Sequence, residues 1–174
     1  MKPKWYVITG SPSSGKTTTI NSLAKLGYKT VPEAARVLID EEIRKGNSLE
    51  KIRKNEIEFQ MRVLKIKMEV EMRSDRGKIV FFDRGIPDTL AYFLLYGFDV
   101  DEVMKVCKDS RYRKVFLLEK LPFQKDYARN ENEETAKKLQ ILLRKAYSDL
   151  GYEIVDVPVM PVEDRLKMIL SDID

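Results

Sequence analysis

A phosphate-binding loop is the clearest chemical signal in the sequence: residues 10–17 read GSPSSGKT, the spacing G-x-x-x-x-G-K-T. Glycines let the backbone curl so that successive N–H groups face phosphate oxygens, and a following helix adds the positive end of its dipole. We expect Lys16 to bridge the β- and γ-phosphates of a nucleoside triphosphate and the Thr17 hydroxyl to bind Mg²⁺. The alternative is a flexible Gly/Ser turn with a surface lysine. The predicted nucleotide-binding residues are Gly10, Ser11, Pro12, Ser13, Ser14, Gly15, Lys16, Thr17 and Thr18.

A second chemical signal follows the apolar run Ile79–Phe82, which ends in Asp83 and Arg84. In proteins with this type of loop, an acidic residue at the end of a second buried strand holds the Mg²⁺ shell, so Asp83 is predicted as a metal ligand with Thr17. The guanidinium of Arg84 could clamp a phosphate or an acceptor group through paired hydrogen bonds. The alternative is a turn in which both charges only pair with other side chains.

Three further residues are predicted to contact an acceptor substrate. Glu33 follows a short strand and begins a helical pattern, where its carboxylate could accept a proton from an acceptor hydroxyl. The alternative for Glu33 is a first-turn glutamate favoured by the helix dipole. Arg36 lies one helical turn further on and could face the same cleft. Gln60 could contact the acceptor as well, although a glutamine at such a position more often lies on the surface.

Two loops complete the predicted site. Residues 121–132 have the length and polarity of a closing lid, and Arg129 within them could stabilise charge on the transferring phosphoryl group. A solvated loop is the alternative for this segment. After the last apolar run, Val159, Met160 and Pro161 could form an apolar wall for the nucleotide base.

Composition excludes several classes of active site. The 174 residues include no histidine and one cysteine, Cys107, which excludes Ser-His-Asp triads, histidine bases and zinc sites of the HExxH type. A metal here should be bound by oxygen, as Mg²⁺ is. The net charge is +4, but Lys and Arg are interleaved with Asp and Glu, which favours a solvated surface over a nucleic-acid interface.

Short apolar runs alternate with helical patterns along the whole chain, as in a parallel sheet covered by helices on both faces. Ligands of such sheets bind beyond the carboxyl ends of the strands. The predicted strands are Trp5–Thr9, Lys29–Val31, Ile79–Phe82, Val115–Leu118 and Glu153–Val157. The predicted helices are Lys16–Leu26, Glu33–Lys45, Asp88–Leu95, Glu102–Cys107, Glu133–Leu150 and Val162–Leu170, with Gly151 as a C-cap residue.

The segment Leu49–Met72 is ambiguous because its apolar residues alternate as in a strand. Its length, its Glu, Lys, Met and Leu content and its lack of Gly and Pro favour one long helix. We find no repeat or linker, so residues 1–174 are expected to form a single domain. No apolar signal core and no run of about 20 apolar residues is present, so a cytoplasmic protein without a membrane span is expected.

The order of these motifs resembles the small AAA-domain-like predicted ATPases related to the nicotinamide riboside kinase domain of the bifunctional NAD-biosynthesis regulator. More distantly, the chain resembles deoxyribonucleoside and thymidylate kinases. The matching segments are Gly10–Thr17, Pro32–Arg36 (PEAAR), Asp83–Asp88 (DRGIPD), Gly151–Glu153 and Val157–Pro158. The resemblance implies a three-layer α/β fold of the nucleoside-monophosphate-kinase type, with a five-stranded parallel sheet and a small lid. It also implies that Glu33 is the acceptor-side carboxylate, Arg129 a lid residue, and Asp83 and Arg84 residues of the phosphate side.

The function expected from sequence is binding of a nucleoside triphosphate and Mg²⁺, with γ-phosphoryl transfer to a small hydroxylated, nucleoside-like metabolite. The absence of an Asn-Lys-x-Asp guanine-reading motif favours ATP over GTP. Two alternatives stay open: a switch module with slow hydrolysis that acts through a protein partner, and a nucleic-acid-associated ATPase. The sequence gives no indication of the oligomeric state.

Overall fold

Five short strands form one parallel sheet in the computed structural model, which describes residues 2–122 and 132–173. The strands are β1 (Trp5–Thr9), β2 (Lys29–Val31), β3 (Val80–Asp83), β4 (Lys114–Leu118) and β5 (Ile154–Val157). Their order in the sheet is β2-β3-β1-β4-β5, and every neighbouring pair is parallel. The predicted five-stranded parallel sheet is therefore confirmed, and each predicted strand lies within one residue of its observed bounds.

Eight helices connect and cover these strands in the described part of the chain. They are α1 (Lys16–Lys25), α2 (Ala34–Arg44), α3 (Leu49–Ile52), α4 (Glu56–Arg73), α5 (Ile86–Tyr96), α6 (Asp101–Asp109), α7 (Glu133–Asp149) and α8 (Val162–Ser171). Gly151 has a positive φ of 77°, as expected for a glycine just after a helix. No helix in residues 2–122 and 132–173 is long and apolar enough to span a bilayer.

The two faces of the sheet are buried under different helices, which gives the three layers predicted from sequence. Side chains of β1 alternate: Tyr6 and Ile8 belong to a core with Ile20 of α1 and Ile169 of α8. Val7 points to the opposite face, in a core with the α7 residue Tyr147. Both faces of β1 are apolar because the strand is covered on both sides.

The prediction of one long helix over Leu49–Met72 was wrong, because the chain breaks after α3 and restarts as α4. Asn55 ends the break by accepting a hydrogen bond from the Glu58 backbone N–H at 3.2 Å, which caps the new helix. The strand alternative was also wrong, since Phe59 and Val63 are buried while Met61 is exposed, which is a helical period. The break contains Arg53, which lines the cleft of the candidate site.

The register of the sheet brings the predicted site residues to one edge. Ile8 pairs with Asp83, and Thr9 pairs with Leu117, so the carboxyl ends of β3, β1 and β4 lie side by side. The loop after β1 and the turn after β3 therefore begin next to each other. Sites in parallel sheets form at this edge.

Candidate active site

The loop between β1 and α1 has the conformation that its glycines permit. Gly10 has φ 152° and Gly15 has φ 82°, both in the region that favours glycine, and Ser13 is also left-handed at 62°. A Cβ on Gly10 would lie 2.6 Å from the Leu118 carbonyl oxygen, so the loop also needs glycine for close packing on β4. The curled backbone leads directly into the first turn of α1.

Lys16 is 2% exposed, and its ammonium lies across the inside of the loop. Its Nζ donates to the Ser11 carbonyl at 3.2 Å and to the Ser14 hydroxyl at 3.3 Å. Thr17 and Thr18 are exposed on the first turn of α1. The structure thus brings an ammonium, two hydroxyls and a helix N-terminus together, a set of groups suited to a phosphorylated ligand.

Gln140 supports this loop from α7, and the sequence analysis missed it. Its Oε1 accepts the Ser11 backbone N–H at 2.7 Å, and its Nε2 donates to the Leu118 carbonyl at 3.0 Å. The available signal was a polar residue beside the buried Leu139 of an amphipathic helix. A polar side chain in such a position usually satisfies a nearby backbone group.

Asp83 ends β3 and Arg84 follows it at the same edge of the sheet, and the two residues are 3% and 4% exposed. Arg84 has φ 66°, a left-handed conformation that costs a non-glycine residue free energy. Its Nη1 donates to Asp88 Oδ1 at 2.8 Å, its Nε lies 3.4 Å from Glu33 Oε1, and its guanidinium lies 5.6 Å from the Tyr92 ring centre. Arg84 therefore connects the β3 turn to the N-terminus of α2.

Asp88 is the centre of a buried hydrogen-bond network that the sequence analysis did not assign. Its Oδ1 accepts the Thr9 hydroxyl at 2.5 Å, and its Oδ2 accepts the Gly85 N–H at 3.0 Å and the Tyr147 hydroxyl. Burial by itself raises the pKa of Asp88, but the nearby charges of Arg84 and Lys67 outweigh burial and lower it. The position of Asp88 at the third residue of α5 was the available signal, since acids there bond the helix cap.

Lys67 of α4 adds a second buried cation to this cluster. Its Nζ donates to the Gly85 carbonyl at 2.9 Å and to the Thr89 hydroxyl at 3.0 Å. Burial lowers the pKa of Lys67, although Asp88 acts in the opposite direction. With Arg84, Asp88 and Glu33, the cluster contains two cations and two anions, so its formal charge is balanced.

A cleft opens from this cluster between α2 and α4, and it contains the three predicted acceptor-side residues. Glu33 is the N-cap residue of α2 but makes no side-chain cap hydrogen bond, and its carboxylate lies instead against Arg84. Gln60 is 4% exposed, so its interpretation as a surface glutamine was wrong. The lining includes Glu33, Arg36, Arg53, Phe59, Gln60, Lys67, Arg84 and Tyr92.

Arg53 and Phe59 also line this cleft, and neither was predicted. The Arg53 guanidinium lies 4.4 Å from the Phe59 ring centre and forms an ion pair with Glu56 at 2.8 Å. Gln60 Nε2 donates to the same Glu56 carboxylate at 2.9 Å. One wall of the cleft is thus a connected set of a ring, a guanidinium and an amide, which suits a flat polar molecule.

The remaining predicted residues belong to the two loops after β4 and β5. Val159, Met160 and Pro161 lie between β5 and α8, at the same edge as the loop, and Val159 is 51% exposed. The predicted lid lies outside the described residues except for Leu121, Pro122 and Asn132, and Arg129 lies outside them too. Within the described ranges no cluster of three or more acidic or cysteine side chains could hold a metal. A site of Thr17 and Asp83 would therefore need phosphate oxygens and water to complete the shell of Mg²⁺.

Comparison with solved structures shows that the fold is shared with several kinases. NadR protein in complex with NAD and AMP-PNP is 20% identical with a TM-score of 0.71, covering 97% of this chain and 49% of that one. Deoxyadenosine kinase from M. mycoides with bound dATP is 16% identical with a TM-score of 0.68, covering 96% and 97%. Shikimate kinase from Acinetobacter baumannii in complex with shikimate is 21% identical with a TM-score of 0.62, covering 98% and 92%.

The TM-scores establish the shared fold, and the chain spans about half the length of NadR. A comparison with the curated proteins finds no match. The sequence profile of the AAA domain family matches residues 5–165, from the first residue of β1 to the α8 residue Arg165. The matched range contains the glycine loop, Glu33, the turn after β3 and the cleft, and the chain belongs to the AAA domain family of P-loop proteins.

Proposed function

We propose that this protein is an ATP-dependent kinase that transfers the γ-phosphoryl group to a hydroxyl of a small, nucleoside-like metabolite. The observation that carries the proposal is the cleft beside the glycine loop, in which the Glu33 carboxylate and the Arg84 guanidinium face each other. The Glu33 carboxylate lines the cleft together with Arg36 and Gln60, so it can meet an acceptor as well as pair with Arg84. The solved structures that share the fold add support, since they include a deoxyadenosine kinase and a shikimate kinase.

Each group in the proposed reaction has its own task. The acceptor lies in the cleft, where Glu33 receives the proton of the attacking hydroxyl. Lys16 and Arg84 neutralise charge on the transferring phosphoryl group, with Arg129 contributing from the predicted lid. Thr17 and Asp83 would hold Mg²⁺, which neutralises phosphate charge when bound. Val159, Met160 and Pro161 contact the base of the nucleotide.

The cleft wall also restricts the acceptor. Phe59 offers a ring face, Gln60 an amide, and Arg36 and Arg53 offer guanidinium groups. A flat, hydrogen-bonding ring attached to a hydroxylated sugar matches both the wall and the carboxylate. We therefore place nucleosides and ribosides ahead of purely aliphatic alcohols as acceptors.

The first experiment is turnover of γ-labelled ATP with Mg²⁺ against a panel of nucleosides, nucleotides and vitamin-derived ribosides. We expect label to appear on an acceptor and ATP consumption to rise when that acceptor is present. Slow release of free phosphate that no acceptor stimulates would refute the kinase and favour the switch module. A steep salt-dependent affinity for DNA or RNA would favour the nucleic-acid-associated ATPase.

Two variants test the assigned roles. Glu33→Gln should abolish transfer while ATP binding is kept, because the amide cannot accept the proton although its oxygen can still accept a hydrogen bond from Arg84. Glu50→Gln, at an exposed first-turn position of α3, is the matched control and should leave transfer unchanged. Lys16→Ala should abolish transfer with an unchanged far-UV circular dichroism spectrum. Full turnover by either Glu33→Gln or Lys16→Ala would contradict the mechanism.

A further inference from the structure

Arg165 of α8 is a buried cation directly beside the glycine loop. The side chain is 3% exposed, and its Nη1 donates to the Thr19 hydroxyl at 3.0 Å and to the Gly15 carbonyl at 3.3 Å. A Cβ on Gly15 would lie 2.5 Å from this Nη1, so the approach of the guanidinium depends on glycine at that position. Neither loop spacing nor composition pointed to Arg165.

The charge of Arg165 is not balanced by any residue in the part of the chain that the structure describes. No carboxylate in residues 2–122 and 132–173 forms an ion pair with it, and its buried Nε has no hydrogen-bond partner there. Burial lowers the pKa of Arg165, and no anion among the described residues opposes that effect. Arg84 differs, because its guanidinium is paired with both Asp88 and Glu33. A buried cation without an anion destabilises a folded protein.

The glycine loop and the start of α1, which Arg165 contacts, have the same sign of charge as Arg165. The loop contributes Lys16, the first turn of α1 contains no acidic residue, and the helix N-terminus carries a partial positive charge. Two buried cations and a helix dipole therefore converge on one short loop. Such an arrangement is stabilised by a bound anion of more than one charge.

We propose that Arg165 belongs to the nucleotide site and that its charge is balanced by the polyphosphate of the bound nucleotide. The role rests on nucleotide binding by the loop and is independent of which acceptor the kinase uses. Arg165 thereby makes α8 a second helix that supports the phosphate site, through its contacts with Gly15 and Thr19. It also couples the predicted base-contacting residues, which precede α8, to the phosphate side.

The test separates the contribution of the charge of Arg165 from that of its side-chain shape. Arg165→Met removes the charge and keeps the length, and Arg165→Lys keeps the charge. Lys167→Met is the matched control, because Lys167 lies two residues away with a side chain 81% exposed. Calorimetric titration with MgADP and with inorganic tripolyphosphate measures affinity, and thermal unfolding of the ligand-free protein measures stability.

We expect Arg165→Met to bind both ligands at least about tenfold more weakly, since one close charge is lost. Arg165→Lys should bind within about threefold of the wild type, and Lys167→Met should equal it. The unfolding midpoint of ligand-free Arg165→Met should match or exceed that of the wild type, because removal of an uncompensated buried charge relieves strain on the fold.

The opposite results overturn the proposal. Unchanged binding by Arg165→Met, or a loss confined to one of the two ligands, would exclude a role in polyphosphate binding. A lower midpoint for ligand-free Arg165→Met, with equal weakening in Arg165→Lys, would mean that Arg165 only supports the fold. Failure of the wild type to bind either ligand would refute the proposed function as well, and that outcome is visible before any variant is made.

Discussion

Asp88→Asn is the substitution that most directly tests how the cleft is held together. The change keeps the size and shape of the side chain but removes its negative charge. The side chain is fully buried, and its ion-pair partner Arg84 is buried with it. The amide also cannot accept all the hydrogen bonds that the carboxylate accepts from Thr9, Gly85 and Tyr147.

The expected cost follows from burial. Removing one partner of a buried ion pair typically destabilises a protein by about 3–5 kcal/mol, because the other charge is left uncompensated. Arg84 would keep its longer contact with Glu33 at 3.4 Å, so we expect the lower end, about 3 kcal/mol. This is a large part of the roughly 5–15 kcal/mol that stabilises a typical domain.

Asp149→Asn provides a matched control on α7. Asp149 pairs with Lys145 at 2.6 Å and at the same four-residue spacing, but both side chains are more than half exposed. Solvent screens exposed pairs, so this change should cost less than about 0.5 kcal/mol.

Urea unfolding followed by circular dichroism measures both variants, and the midpoint should fall for Asp88→Asn with an unchanged slope. Tyr147→Phe removes the hydrogen bond that its hydroxyl donates to Asp88 and the one that it accepts from the Gly85 N–H, while Gly85 keeps its bond to Asp88. It gives a milder variant, about 1–2 kcal/mol less stable, in case Asp88→Asn does not fold. Equal midpoints for Asp88→Asn and Asp149→Asn would refute the view that this network stabilises the fold.

Two further predictions concern pH and the loop. Burial raises the pKa of Glu71 to about 7 despite a hydrogen bond from Tyr112. The contribution of protonated Glu71 to the stability of the folded protein is therefore complete below the unfolded-state pKa near 4.5 and is lost as the pH rises through 7. The free energy of unfolding of Glu71→Gln should therefore rise by up to about 3 kcal/mol relative to that of the wild type between pH 4.5 and pH 8, whereas that of the exposed Glu58→Gln should not. Urea midpoints of Glu71→Gln and the wild type that run parallel across that range would contradict this. Gly10→Ala places a Cβ 2.6 Å from the Leu118 carbonyl at an unfavourable φ, so MgADP affinity should fall at least about tenfold, and unaltered calorimetric affinity would show that the loop adapts.

Local patterns predicted most of the fold. The strands could be found because short apolar runs buried on both faces differ from the helical segments around them. The break between α3 and α4 was missed, although Asn55 followed by Glu58 is a helix-start pattern. The strong helical composition on both sides concealed that signal. The order of the strands depends on crossover connections and was not predicted.

The candidate site, too, was predicted in part and missed in part. The glycine loop is continuous in sequence, so its spacing alone indicated its chemistry. In the network around Asp88, Thr9 is 79 positions away from Asp88 in the sequence and Tyr147 is 59 positions away. The network forms only when α5 packs against α7. Arg165 and Gln140 likewise reach the loop from helices far along the chain. Such contacts depend on tertiary packing, which no local pattern specifies.

The left-handed backbone of Arg84 has a consequence for laboratory evolution. That conformation costs a side chain with a Cβ about 1–2 kcal/mol, whereas glycine adopts it freely. A library selected only for thermal resistance should therefore accumulate Gly at position 84 together with an uncharged residue at position 88, and lose turnover. Under the proposed mechanism, a library selected for turnover should retain Arg84 and acquire compensating mutations elsewhere, so that stability and activity would conflict at this position.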